Sequence, residues 1–99
     1  MMRTRDEILA LIAGNRETIR TFGVKTLALF GSAARGEATD SSDLDFIVEL
    51  DRKTFDNYMG LKLFLEDLFG RRVDLVLKDA VKPRLREPIL GTAVHAPGL

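Results

Sequence analysis

The sequence predicts an α+β domain: a small mixed sheet with helices on one face and a row of acids on the other. Three observations carry this. Apolar residues recur at helical spacing near the start and again in the middle of the chain, while short runs rich in Val, Ile, Leu and Phe lie at 25–30, 44–50 and 72–77. The segment between the first two runs is small, polar and glycine-bearing. Ninety-nine residues suit a single domain, 1–99, which at this size buries about two-thirds of the surface its unfolded chain exposes.

In chain order, Thr4 with Glu7 forms a capping-box signature, and Ile8, Leu9, Leu11 and Ile12 supply the stripe of the first helix. Gly14-Asn15 breaks it, with Asn15 expected to cap a second, turn-rich piece that runs through Ile19 and Phe22 and stops at Gly23. Lys25 to Phe30 reads as a strand and Leu44 to Leu50 as another. From about Thr54 to Phe69, Tyr58, Leu61, Leu65 and Leu68 recur at helical spacing, Phe64 and Phe69 widen the stripe, and Gly70 ends it. A third strand spans Arg72 to Leu77. In the tail, Pro83 suits the first turn of a short helix, and Pro88 shortens or kinks it by removing a hydrogen bond.

Charge and composition exclude several classes. Fifteen basic residues balance fifteen acidic ones, so nothing favours extended nucleic-acid binding. The absence of cysteine removes disulfides, thiolate catalysis and zinc-thiolate sites and fits a reducing compartment. No stretch is long enough to span a membrane, and the acidic start argues against a signal peptide, so a cytoplasmic protein is expected.

The chemistry gathers in three places. Gly31-Ser32 opens one tight helical turn, Ser32 to Arg35, closed by Gly36; backbone N–H groups and a hydroxyl at such a start can hold phosphate oxygens, and Arg35 either adds a charge-assisted contact or stays in solvent. Asp43 and Asp45 then stand at the head of a strand. Alternation puts Leu44, Phe46, Val48 and Leu50 on one face and Asp43, Asp45, Ile47 and Glu49 on the other. In the third strand Val73, Leu75 and Leu77 form the apolar face and Asp74 stands opposite. If the two strands are neighbours with apolar faces together, the three carboxylates share one open face. Their mutual repulsion calls for a cation, and hard oxygen donors favour Mg²⁺ or Mn²⁺. A lone Asp-x-Asp is usually a solvated turn; the spacing from Gly31-Ser32 and the placement of Asp74 turn that reading toward a metal site. Glu37, His95 and the basic run Lys82, Arg84, Arg86 receive no role.

Leu29-Phe30-Gly31-Ser32-Ala33-Ala34-Arg35-Gly36-Glu37, Ser42-Asp43-Leu44-Asp45-Phe46-Ile47-Val48 and Val73-Asp74-Leu75-Val76 resemble the motifs of minimal nucleotidyltransferases of the DNA polymerase beta superfamily, near the antitoxins of MNT and HEPN toxin pairs. The resemblance implies a polymerase beta-like fold. It implies that Gly31 and Ser32 hold the triphosphate of ATP, with Arg35 a further nucleotide-binding candidate, that Asp43, Asp45 and Asp74 are catalytic and bind two Mg²⁺ ions, and that Asp74 serves the acceptor hydroxyl. It further implies AMP transfer to a tyrosine of a HEPN-type toxin, in a hetero-oligomer with that toxin. A small-molecule, antibiotic-type nucleotidyltransferase would use the same core but usually adds a domain or dimer surface. An antitoxin acting by contact alone would need no triad of acids. Template-directed polymerisation lacks any grip for a duplex.

Overall fold

The computed structural model describes residues 5–34, 43–81 and 93–96. Thr4, Arg35, Gly36, Glu37, Lys82, Pro83, Arg84, Arg86 and Pro88, and the expectations that rest on them, lie outside these residues. The elements run α1 (Arg5–Gly14), α2 (Arg16–Arg20), β1 (Val24–Phe30), α3 (Gly31–Ala34), β2 (Leu44–Leu50), α4 (Phe55–Phe69), β3 (Val73–Leu77), a 3₁₀ turn (Lys78–Ala80) and β4 (Val94–His95).

The sheet is mixed, in the order β3-β2-β1-β4. β1 pairs antiparallel with β2 and with β4, and β2 pairs parallel with β3. The parallel pair needs a crossover, and α4 supplies it. Thr54 starts this helix by accepting a hydrogen bond from the Asn57 backbone N–H at 3.1 Å, and Gly70, left-handed at φ 63°, ends it by donating to the Glu66 carbonyl at 2.8 Å. Leu61, Leu65 and Phe69 are the buried stripe of α4, as the periodicity predicts.

One core holds the helices to the sheet. Ile8, Ile12 and Ile19 from α1 and α2 meet Leu27 and Leu29 of β1, Leu44, Phe46 and Val48 of β2, and Val73 and Leu75 of β3. Phe46 stacks on Phe69 with ring centroids 6.0 Å apart. Gly60 leaves room for Phe22, since a Cβ there would approach the Phe22 ring to 2.9 Å. Among the described residues no helix is long and apolar enough to cross a membrane.

Three expectations change, and one strand is added. Asn15 does precede α2, but its side chain makes no cap to that helix; its Nδ2 donates to the Leu11 carbonyl at 2.8 Å, so it satisfies the end of α1 instead. The second helical piece ends at Arg20, because the chain turns at Thr21 and Phe22 and Gly23 takes φ 78°. The face opposite the helices is not fully open. Ile47, Ala28 and Val81 are buried on it, with Phe30, Val76 and Ala93 packed around them, because Val81 returns over the sheet after the 3₁₀ turn. β4, a strand of two residues, was not foreseen, since so short a piece has no periodicity to read.

Candidate active site

The site lies where β1 and β2 meet β3. Gly31 ends β1 with φ 74°, a conformation that a side chain makes costly, and so turns the chain sharply into α3. A Cβ built on Gly31 would overlap the Asp45 carboxylate. The need for glycine here is therefore double: backbone conformation, and room for the acid beside it. A reading of the turn as a phosphate cradle alone misses the second reason.

Asp45 sits in β2 between two neighbours. Phe30 of β1 is its antiparallel partner and Asp74 of β3 its parallel partner. Residues in register on adjacent strands share a face, so the Asp45 and Asp74 carboxylates stand on the same side of the sheet, across about 4.8 Å of strand spacing. Asp43, exposed, precedes β2 by one residue and lies two positions before Asp45, a step of about 6.6 Å. The condition left open by the strand alternation, that β2 and β3 be neighbours, is met.

Burial grades across the acids. Asp45 is half-buried, whereas Asp43 and Asp74 are exposed, and the side chains of these two make no hydrogen bond or ion pair with any described residue. Asp45 and Asp74 share one face and Asp43 stands at the head of β2, without a closed cage: among the described residues, no group of three or more acids or histidines is gathered as a ready metal cluster. As donors they fit a hard divalent cation: all are anionic oxygen ligands, Asp45 and Asp74 share a face, and the Asp43 and Asp74 carboxylates are not engaged with other described residues.

Ser32 follows Gly31 within α3, and Ala34, also in that turn, is buried in the main core, which anchors the turn to the sheet. His95 pairs with Ala28 across β1 and β4, which puts it on the acid-bearing face, exposed and two strands from Asp45. It adds no second ligand to the acids. Farther along the same face, Glu49 accepts from the Thr26 hydroxyl at 3.4 Å and lies 3.9 Å from the Lys78 ammonium, so that acid is engaged in surface pairing.

The family model for the nucleotidyltransferase domain aligns with residues 13–94, a span that holds the glycine turn and all three acids. The chain belongs to the nucleotidyltransferase domain family. Protein adenylyltransferase MntA of Thermococcus cleftensis is 34% identical over 96 residues, spanning 95% of this chain and 97% of that protein. Among solved structures, a candidate minimal nucleotidyltransferase superposes with TM-score 0.72 at 40% identity, covering 87% of this chain and 93% of the other. The crystal structure of a toxin-antitoxin with AMP-PNP superposes with TM-score 0.67, covering 98% of this chain and 75% of that one; at 20% identity it shows likeness of fold. The four-stranded mixed sheet with its helices is thus the polymerase beta-like nucleotidyltransferase fold, and the chain is a nucleotidyltransferase.

Proposed function

We propose that this nucleotidyltransferase moves AMP from ATP to a hydroxyl of a protein partner, that the acceptor is a tyrosine of a HEPN-type toxin, and that the transfer makes this chain the antitoxin of that pair. The observation that carries the reading is the register of Asp45 against Asp74, beside a glycine turn that touches Asp45. Support for a protein acceptor comes from the similarity to a protein adenylyltransferase along almost the full length of both chains. The toxin-antitoxin fold neighbour with AMP-PNP agrees with a nucleoside triphosphate at such a site.

In this reading Gly31 and Ser32 present backbone N–H groups to the triphosphate, with Arg35 adding charge. Asp43, Asp45 and Asp74 would hold Mg²⁺, or Mn²⁺ in its place. An array of carboxylates that is not a closed cage suits Mg²⁺, which is usually held by one or two carboxylates together with substrate phosphates. When bound, the cation offsets charge on the phosphates and lowers the pKa of the acceptor hydroxyl. The acceptor oxygen attacks the α-phosphorus, a new P–O bond forms, the bond to pyrophosphate breaks, and the hydroxyl proton passes to solvent or to Asp74. Asp74, the most open of the in-register acids and on the edge strand, faces the approaching acceptor, while Asp43 and Asp45 serve the nucleotide. The location would be the cytoplasm, where ATP is available.

The test is intact-mass spectrometry of a HEPN-type protein encoded beside this gene, incubated with the enzyme, ATP and Mg²⁺. One or more AMP additions should appear on a tyrosine, and Asp74→Ala should remove them without removing ATP binding. If the toxin is neutralised with no adduct, by the parent and by Asp74→Ala alike, contact alone explains the antitoxin effect and the catalytic reading falls.

A further inference from the structure

Among the described residues β3 is an edge strand, and Asp74 is the second of its five residues. An edge strand is held by one ladder only, so its outer N–H and C=O groups face water and its placement is the least constrained in the sheet. Register matters more here than elsewhere. A slip of one residue would turn Asp74 to the core face and bring an apolar neighbour to the acid face.

The outer side of β3 is not left to water. The Leu44 N–H donates to the Arg72 carbonyl at 3.0 Å, so residue 72 directs its backbone toward β2, and alternation turns residues 73 and 75 outward. Those outward groups meet side chains of α4. The Val73 N–H donates to Glu66 Oε2 at 3.1 Å, and the Tyr58 hydroxyl donates to the Leu75 carbonyl at 2.5 Å, both partly buried. Glu66 is itself steadied by Lys62 at 3.9 Å. The two bonds bracket Asp74, one on the residue before it and one on the residue after. Leu75 and Val73, buried in the main core, hold the same stretch from the helix face.

From this geometry we infer that Tyr58 and Glu66 are positioning residues of the transfer reaction: they clamp the backbone on either side of Asp74 and so keep its carboxylate opposite Asp45. The inference rests on the role proposed above for Asp74. It goes beyond that role by assigning turnover to two residues on the opposite side of the sheet from the chemistry. Neither touches substrate. Both act through the placement of one carboxylate, whose displacement by a fraction of a residue step lowers the rate at which a correctly bound nucleotide reacts.

Four variants separate positioning from general stability, each assayed with ATP, Mg²⁺ and the HEPN-type acceptor. Tyr58→Phe removes one hydroxyl, and Glu66→Ala removes the acceptor of the Val73 N–H. Each should lower kcat on the order of tenfold with the KM for ATP unchanged, the size seen when groups that orient an active-site ligand are removed. Glu66→Gln keeps an oxygen acceptor and should restore most of the rate. Thr54→Ala, which removes the α4 cap, should lower Tm and leave kcat as it was. In the ligand-free chain, amide hydrogen exchange at Val73 should quicken in Glu66→Ala and slow again in Glu66→Gln.

Full turnover in both Tyr58→Phe and Glu66→Ala would overturn the inference, as would a fall in kcat that merely tracks Tm in all variants, Thr54→Ala included. Asp74→Ala is the control. If it is inactive while Tyr58→Phe and Glu66→Ala are fully active, positioning fails and the role of Asp74 stands. If it transfers AMP like the parent, that role fails and the positioning inference fails with it.

Discussion

The two faces of the β2 strand are built from alternate residues of one seven-residue segment, yet they follow opposite rules. Leu44, Phe46, Val48 and Leu50 are all buried beneath the helices, and Phe46 is fully enclosed. On the other face the chain spends its positions differently: Asp43 is exposed, Asp45 is half-buried against Gly31, and only Ile47 is buried, under Val81. The first face is optimised for packing. The second retains charge where repulsion works against stability, which is the expected mark of a site kept for chemistry. The difference teaches that a single strand can serve both the core and the proposed active site because its side chains alternate, with the backbone hydrogen bonds common to both.

The largest expected effect tests the acid face. Asp43→Asn and Asp45→Asn should each weaken Mg²⁺-dependent ATP binding in isothermal titration and abolish transfer, while circular dichroism shows the fold retained. In Asp43→Asn, Tm should hold or rise, because the change relieves repulsion at an exposed carboxylate. Metal-nucleotide binding that survives in both variants would erase the contrast between the faces.

On the packed face, Phe46→Ala should cost about 3–5 kcal/mol by chemical denaturation, since it empties a site stacked on Phe69. Activity should fall only as far as the unfolded fraction rises. A variant that stays stable but loses catalysis would place Phe46 in the site rather than the core.

Ile47→Ala sharpens the comparison, for it probes the small apolar cluster on the acid face. With only Ala28 and Val81 as buried companions, the loss should be about 2 kcal/mol, the low end for such a truncation. A cost equal to that of Phe46→Ala would mean that this face is a second full core.

A smaller loss of stability is expected at Gly31. Gly31→Ala should cost about 1–2 kcal/mol for a side chain at positive φ. Its activity should drop further than that figure explains, because the new methyl group displaces the Asp45 carboxylate. An ATP Kd and a kcat both within twofold of the parent would show that the contact between Gly31 and Asp45 is unimportant to the reaction.

Much of this molecule is local and was therefore readable from the chain alone. The cap at Thr54, the stop at Gly70 and the stripe between them identify α4, because caps and helical period depend on neighbours a few residues apart. The alternation in 44–50 separates acids from apolar residues for the same reason. Gly31-Ser32 and Asp43-x-Asp45 carry a resemblance to nucleotidyltransferases, and the family match shows the class.

Long-range pairing was decided only in three dimensions. No local propensity states that Asp74 stands opposite Asp45 and not one residue to either side; that register comes from the α4 crossover, the shared core and the backbone contacts of Tyr58 and Glu66. The same holds for Val81 over Ile47, for the short pairing of β4 with β1, and for the choice of Asn15 to satisfy α1 rather than cap α2. In each case the deciding partner is distant in sequence or competes with an equally good local one. The residue types of the proposed chemistry are thus written in the sequence, while the placement of Asp45 beside Asp74 on one face is a property of the packed sheet.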